Sequence, residues 1–330
     1  AGLEDLRVEL ESALLRSGVS LAQIQQRQQN GITVFDVANE FPPPEVLHRL
    51  TERLRGRLPA VAIDTEIRPS SLLVYLNGQV VYSLRFSPPA PEQPGPAALG
   101  GPVVTPVEKG KLAIIMDDLG QDMTTARRVL AIDLPVTFAI IPTNERAFEV
   151  ATLAHEQGRE VLIHIPMEPK GYPAINPGED ALLVRLSAAE IRRRLISFRR
   201  RVPYAVGGNN HMGSAFTEDR QQMSLVMQEL RDAGMFFVDS RTSSRSLAVE
   251  IARATGVPTA SRDVFLDNVQ QVDSIARELH RLVRLALRHG QAVGICHPYP
   301  QTLKALQREA DYIRSQGVQV VFASQLVTLR

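Results

Sequence analysis

At 330 residues the chain is too long for one small domain and suits one large barrel or two domains. Its 37 basic and 36 acidic residues leave a formal net charge of +1, which excludes the overall field of a nucleic-acid binder or an acidic tail. A lone cysteine, Cys296, excludes an intrachain disulfide framework and any cysteine-rich metal site, and no apolar stretch approaches the roughly 20 residues that cross a bilayer. The chain begins at Ala1 without a Met, which fits a processed or trimmed chain whose signal or anchor is no longer visible.

In chain order, "LEDLRVELESALLRSG" and "PPEVLHRLTERLRGRL" space their apolar residues as helices do, whereas "ITVFDVA" and "AVAIDTEI" read as strands. "LLVYLNGQVVYSLRF" predicts a hairpin with Asn77-Gly78 at its turn, because that dipeptide tolerates positive φ. Residues 1–86 therefore form a small α+β domain, whose only histidine is His48. Residues 87–110 hold seven of the 22 prolines and show no amphipathic period, which predicts an extended linker. From 111 to 330 the rhythm changes to short apolar strands alternating with helices: "KLAIIM", "VTFAII", "EVLIHI", "YAVGGN", "MFFVDS", "PTASRDVFL", "AVGICH" and "VQVVFAS". Such α/β units predict a parallel sheet closed or nearly closed into a barrel, with reactive groups at the strand C-termini.

That rule collects Asp117 and Asp118 from the first strand, His164 and Glu168 from "HIPMEP", and His211 from "GGNNHMGS". Later ends add Asp239 and Arg241 from "VDSRTSS", Asp263 from "SRDVFLDN" and His297 from "GICHPYP". Three imidazoles and two carboxylates on one rim match the nitrogen and oxygen donors of a zinc-type hydrolytic centre. The paired aspartates have a plainer reading as a solvated loop or a helix N-cap near Asp122. His48, His155, His280 and His289 fall within or at the end of helical patterns, which assigns them to surface or capping positions. Cys296 alternates away from His297 and reads as a buried apolar residue, not a nucleophile. "RRRLISFRRR" at 192–201 reads as a solvated helix face or a contact for an anionic envelope polymer, and no interleaved aromatics suggest nucleic-acid stacking.

The motifs "IIMDDLG", "HIPMEP", "GGNNHMGS", "FFVDSRTSS", "RDVFLDN" and "GICHPYPQT" make residues 111–330 resemble the divergent polysaccharide deacetylase family. The resemblance implies a NodB-like distorted (β/α) barrel, here preceded by the small α+β domain. It also implies a divalent metal, most simply Zn²⁺, bound by Asp118, with Asp117 as general base and His297 protonating the leaving amine. Where related deacetylases place a second histidine four positions on, this chain has Glu168, and Pro166 and Pro169 hold the segment out of a helix. His164 and His211 therefore complete the expected ligand set, and Asp239, Arg241 and Asp263 are expected to orient the reacting groups. An Arg paired to Asp117 would keep that base ionised, and a carboxylate on an imidazole would fix its tautomer. The expected activity is metal-dependent removal of N-acetyl groups from an envelope polysaccharide or peptidoglycan-like glycan by a periplasmic or secreted enzyme. Two alternatives stand beside it: a metal-binding barrel serving as a binding or regulatory module, with the N-terminal domain docking an envelope protein, and a hydrolase of another amide or ester. The absence of Trp and an aromatic content of 5% weigh against a deep carbohydrate-stacking groove.

Overall fold

A computed structural model describes residues 3–16, 19, 23–29, 31–39, 41–42, 47, 51–52, 61–65, 71–87 and 110–329. Most of the expected linker, His48 and most of the second N-terminal helix lie outside the described residues. Contacts divide the chain into two compact units, Ala1–Thr105 and Pro106–Arg330.

In the first unit, α1 (Leu3–Arg16) buries Leu6, Leu10 and Leu14, which recur every fourth residue and so share one helix face. That face packs with Phe35, Val37, Leu72, Val74 and Leu84 of a five-stranded sheet. The strands are β1 (Ile24–Gln29), β2 (Ile32–Val37), β3 (Val61–Thr65), β4 (Ser71–Leu76) and β5 (Gln79–Phe86), in the order β1-β2-β5-β4-β3. Asn77 (φ 53°) and Gly78 (φ 78°) join β4 to β5, with Leu76 opposite Gln79. This is the two-residue hairpin that the Asn-Gly pair predicts.

The second unit is a curled parallel sheet with helices packed outside it. In chain order come β6 (Gly110–Leu119), α2 (Met123–Leu130), β7 (Val136–Ile140), α3 (Ala147–Glu156), β8 (Val161–Met167), α4 (Ala188–Arg201), β9 (Gly207–Met212), α5 (Arg220–Asp232) and β10 (Phe236–Asp239). There follow α6 (Ala248–Thr255), β11 (Thr259–Ser261), β12 (Val264–Phe265), α7 (Val272–His289), β13 (Gln291–Cys296), α8 (Pro300–Ser315) and β14 (Val318–Val321). The strand order is β11-β10-β9-β8-β7-β6-β13-β12, with β14 added beside the start of β6. β11 pairs with β10 while β12 pairs with β13, and only Arg262 and Asp263 separate them. One stretch of chain thus holds both ends of the sheet, which explains its distorted, barrel-like curl.

β7 and β8 are buried at every position, and β6 at all but Lys111 and Asp118. Burial on both faces is why these strands read as unbroken apolar runs. Two expectations need correction. "PTASRDVFL" is not one strand, because the chain changes partners at Arg262-Asp263. "YAVGGN" is displaced: β9 begins at Gly207, three residues later than expected, after Tyr204 turns the chain at φ 63°. Glycine is needed there for close packing, since a Cβ on Gly207 would lie 2.7 Å from the Phe236 ring and one on Gly208 2.9 Å from Ile165 Cδ1.

Candidate active site

The site lies at the C-terminal ends of β6, β8, β9 and β13, on a cleft of about 1000 Å³. Adjacent residues of a regular strand point to opposite faces, so "DD" alone would send one carboxylate away. The pairing of β6 with β7 shifts between Met116 and Leu119, and Asp118 takes a left-handed φ of 58°. This irregularity turns both carboxylates toward His164: its Nε2 is 3.6 Å from Asp117 Oδ2 and 3.2 Å from Asp118 Oδ1. Neither aspartate caps the following helix. Asp122 does so, its Oδ1 accepting from Thr125 N at 2.7 Å.

His211 Nδ1 lies 2.9 Å from Asp118 Oδ1 and 3.2 Å from His164 Nε2. Donor atoms of Asp118, His164 and His211 all fall within 4.8 Å of one another. Asp118 Oδ1 is buried and, despite these approaches, has no well-directed hydrogen-bond donor. Three potential ligand atoms converging on one point suit a cation, and two imidazoles with one carboxylate match a borderline divalent ion.

Asn209, which the sequence reading passed over, organises this group. Its Nδ2 donates to Asp117 Oδ1 at 2.8 Å, which leaves its Oδ1 as acceptor for His164 Nδ1 at 2.9 Å. His164 therefore carries a proton on Nδ1 and presents Nε2 to Asp118 and His211. The contact follows from register, because His164 and Asn209 are direct neighbours on β8 and β9. Among the described residues, Asp117 has this amide as its close partner and forms no salt bridge with an arginine. The expected Arg partner is absent; Arg262 acts on Asp117 only as a nearby charge.

His297 reaches the site from the end of β13, with Nε2 at 3.8 Å from Asp118 Oδ2. Its Nδ1 faces Asp267 Oδ1 at 3.1 Å, and its backbone N–H donates to Asp267 Oδ2 at 2.6 Å. Thr302 Oγ1 also donates to Asp267 Oδ2, at 2.9 Å. The carboxylate that orients an imidazole is thus Asp267 and not Asp263. Asp263 precedes β12, and its Oδ2 accepts from Val293 N at 2.8 Å. The signal was present in "RDVFLDN", where Asp267, not Asp263, follows the strand.

Asp239 is buried at the end of β10, where its Oδ1 accepts from Arg241 N at 2.8 Å. Arg241 lines the cleft at φ 49° but, among the described residues, forms no salt bridge with Asp117 or Asp118. Glu168 stands apart from Asp118, His164 and His211: its Oε2 accepts from Val184 N at 2.7 Å and pins the segment between β8 and α4. Cys296 is fully buried beneath the site, and burial pushes its thiol well above the ordinary range. Of the four histidines assigned to helices, His280 pairs with Glu309 at 2.7 Å and His289 precedes the left-handed Gly290 that ends α7. His155 departs from expectation, being buried and stacked 3.7 Å from the Tyr204 ring.

Electrostatics separate the two aspartates. Burial raises the Asp117 carboxyl above the usual range, against the lowering fields of His164 and His297. Desolvation works against the charged form of Asp118 too, but the close approach of the His164 and His211 rings outweighs it and holds that carboxyl far below the usual range. Burial opposes the charged form of His164, yet Asp117 and Asp118 together push it up to about 9. His297 is raised too: burial works against it, and the bond to Asp267 with the fields of the site aspartates prevails.

The sequence of residues 114–327, which carries every strand end just described, matches the family model for divergent polysaccharide deacetylases. The chain belongs to that family. It is 39% identical over 223 residues to the uncharacterised protein YibQ of Escherichia coli (strain K12), covering 68% of this chain and 69% of that one. An uncharacterised Haemophilus influenzae protein is 37% identical over 199 residues, covering 60% of this chain and 70% of its own. Among solved structures, the uncharacterised protein ATU2773 from Agrobacterium tumefaciens C58 aligns with a TM-score of 0.64 at 31% identity, over 66% of this chain and 89% of that chain. Membership of the divergent polysaccharide deacetylases supports a hydrolase kind of activity and a polysaccharide class of substrate. No helix among the described residues is long and apolar enough to cross a membrane.

Proposed function

We propose that the chain removes N-acetyl groups from a cell-envelope glycan, using a divalent cation, most simply Zn²⁺, held by Asp118, His164 and His211. One observation carries this reading: three convergent donor atoms stand beside a buried carboxylate, Asp117, and face an imidazole backed by a carboxylate, His297 with Asp267. A cation in that position would supply a Lewis acid to polarise the acetamide carbonyl and acidify the attacking water.

The protein's own groups divide the proton transfers. Asp117 Oδ1 is occupied by Asn209, so Oδ2 is the atom that accepts a proton from the nucleophile. Its raised affinity for protons suits a base that works near neutral pH. Amide cleavage also needs an acid, because an amine anion is a very poor leaving group. His297 keeps Nδ1 on Asp267 and directs Nε2 into the cleft, where a proton on Nε2 passes to the departing nitrogen. Asn209 holds Asp117 and His164 in fixed relation throughout.

Acetate release from acetylated chitooligosaccharides and peptidoglycan fragments, with Zn²⁺ restored, tests the reading. Asp117→Asn and His297→Gln should keep the ion by elemental analysis and lose about 10²–10⁴-fold in rate. If both variants lose the ion, the assigned roles must be exchanged; if both remain fully active, this mechanism is wrong.

A further inference from the structure

Part of the cleft wall is built from the segment after β10, the crossing between β11 and β12, and the first turns of α7. It presents Arg241, Arg262, Arg277 and Arg281. Two carboxylates share this wall, and both are engaged. Glu278 pairs with Arg281 at 3.2 Å, and Asp263 gives one oxygen to Val293 N. Among the described residues, Arg241, Arg262 and Arg277 form no salt bridge. Arg262 spends its donors on backbone carbonyls, Nε on Ser240 O at 2.6 Å and Nη2 on Arg241 O at 3.0 Å. Arg277 Nη2 donates to Ser274 Oγ at 2.9 Å.

Holding like charges together is unfavourable, and at Arg262 burial adds to that cost. Burial first, and then the charge of Arg241, lowers the proton affinity of its guanidinium, against the raising fields of Asp239, Asp117 and Asp263. Arg262 is also fixed in place, with its guanidinium carbon 5.2 Å from the centre of the Phe265 ring. Phe265 in turn lies edge-on to His297, with ring centres 5.3 Å apart, so the arginine wall and the catalytic imidazole are physically continuous. A neutral N-acetylated sugar would leave Arg241 and Arg277 on this wall without an anion in direct contact.

We infer that the glycan bound here carries an anionic group, a carboxylate or a phosphate, close to the N-acetyl group that is cleaved. The inference rests on the deacetylase reading for the position of the acetyl group. Guanidinium groups recognise either anion through forked hydrogen bonds, which an alcohol or ester cannot replace.

Calorimetric binding to the zinc-loaded protein separates the possibilities without requiring turnover. One arm compares N-acetylmuramic acid with its methyl ester, and the other compares N-acetylglucosamine 6-phosphate with N-acetylglucosamine. In at least one arm the acid should bind about tenfold more tightly than its neutral counterpart, and the arm that does so identifies the anion. That preference should shrink as ionic strength rises and disappear in the Arg241→Gln/Arg277→Gln double variant, which alters two exposed side chains. Equal binding of acid and neutral forms in both arms, no binding in either, or a preference that survives the double substitution overturns the inference. Acetate release is read separately: activity without an anion preference sinks this inference alone, whereas an arginine-dependent preference without any acetate release sinks the deacetylase reading alone.

Discussion

Asn209 sets the tautomer of His164 and the orientation of Asp117 with one amide, so its loss should disturb the ion and the base together. Asn209→Ala is expected to weaken Zn²⁺ affinity about 10–100-fold, measured by competition with a chelator; unchanged affinity would remove Asn209 from the site's architecture. Asp267 acts on His297 in the same indirect way. Asp267→Asn withdraws a charge that raises the imidazole, so the alkaline limb of the kcat/KM profile should move to lower pH, and a limb that stays in place contradicts the pairing. The metal-free protein has its own pH signature. His164 is raised from about 6.5 when unfolded to about 9 when folded. Its contribution to stability is therefore full below about pH 6.5 and lost as pH climbs through about 9. Thermal melts of chelator-treated protein should fall across that window and flatten there in His164→Gln. The titratable residues at this site were legible because Asp117, Asp118, His164 and His297 lie within or just after apolar strands, and His211 is the one titratable group in its polar stretch. Asn209 was hidden, since a neutral amide announces no chemistry until its neighbours are known. Asp267 was missed because a supposed continuous strand placed Asp263 nearer to the site.

At the scale of elements, the bend at the end of β6 does what a straight strand cannot, bringing two consecutive carboxylates to one imidazole, that of His164. β9 is the least legible strand: "GGNNHM" has no apolar alternation, because its polar side chains serve the site and its glycines let β8 and β10 approach. By contrast β6, β7 and β8 are legible as buried apolar runs. Glu168 belongs to this scale, because it braces the chain between β8 and α4 by accepting from Val184 N, and its own carbonyl accepts from Ala215 N and Phe216 N. Glu168→Ala should cost about 1–3 kcal/mol in denaturant unfolding, the penalty for an unpaired backbone group, while leaving ion content intact. Loss of the ion with no loss of stability would return Glu168 to the ligand set.

Across the whole molecule, the proline-rich segment 87–110 joins a small sheet unit to the deacetylase barrel. Limited proteolysis should cut within it and leave a C-terminal fragment that folds and retains the ion, as circular dichroism and elemental analysis would report. A single resistant unit spanning both parts contradicts that organisation. The proposed cation site of a working deacetylase consists of Asp118, His164 and His211. It is tested most directly by titrating Zn²⁺ into chelator-stripped protein while following acetate release from N-acetylated glycan fragments. The account predicts no release at the start, a rate that climbs and breaks at about one ion per chain, and no such rise in His211→Ala. Release that is already complete in the stripped protein, or a rise that His211→Ala reproduces in full, would contradict it.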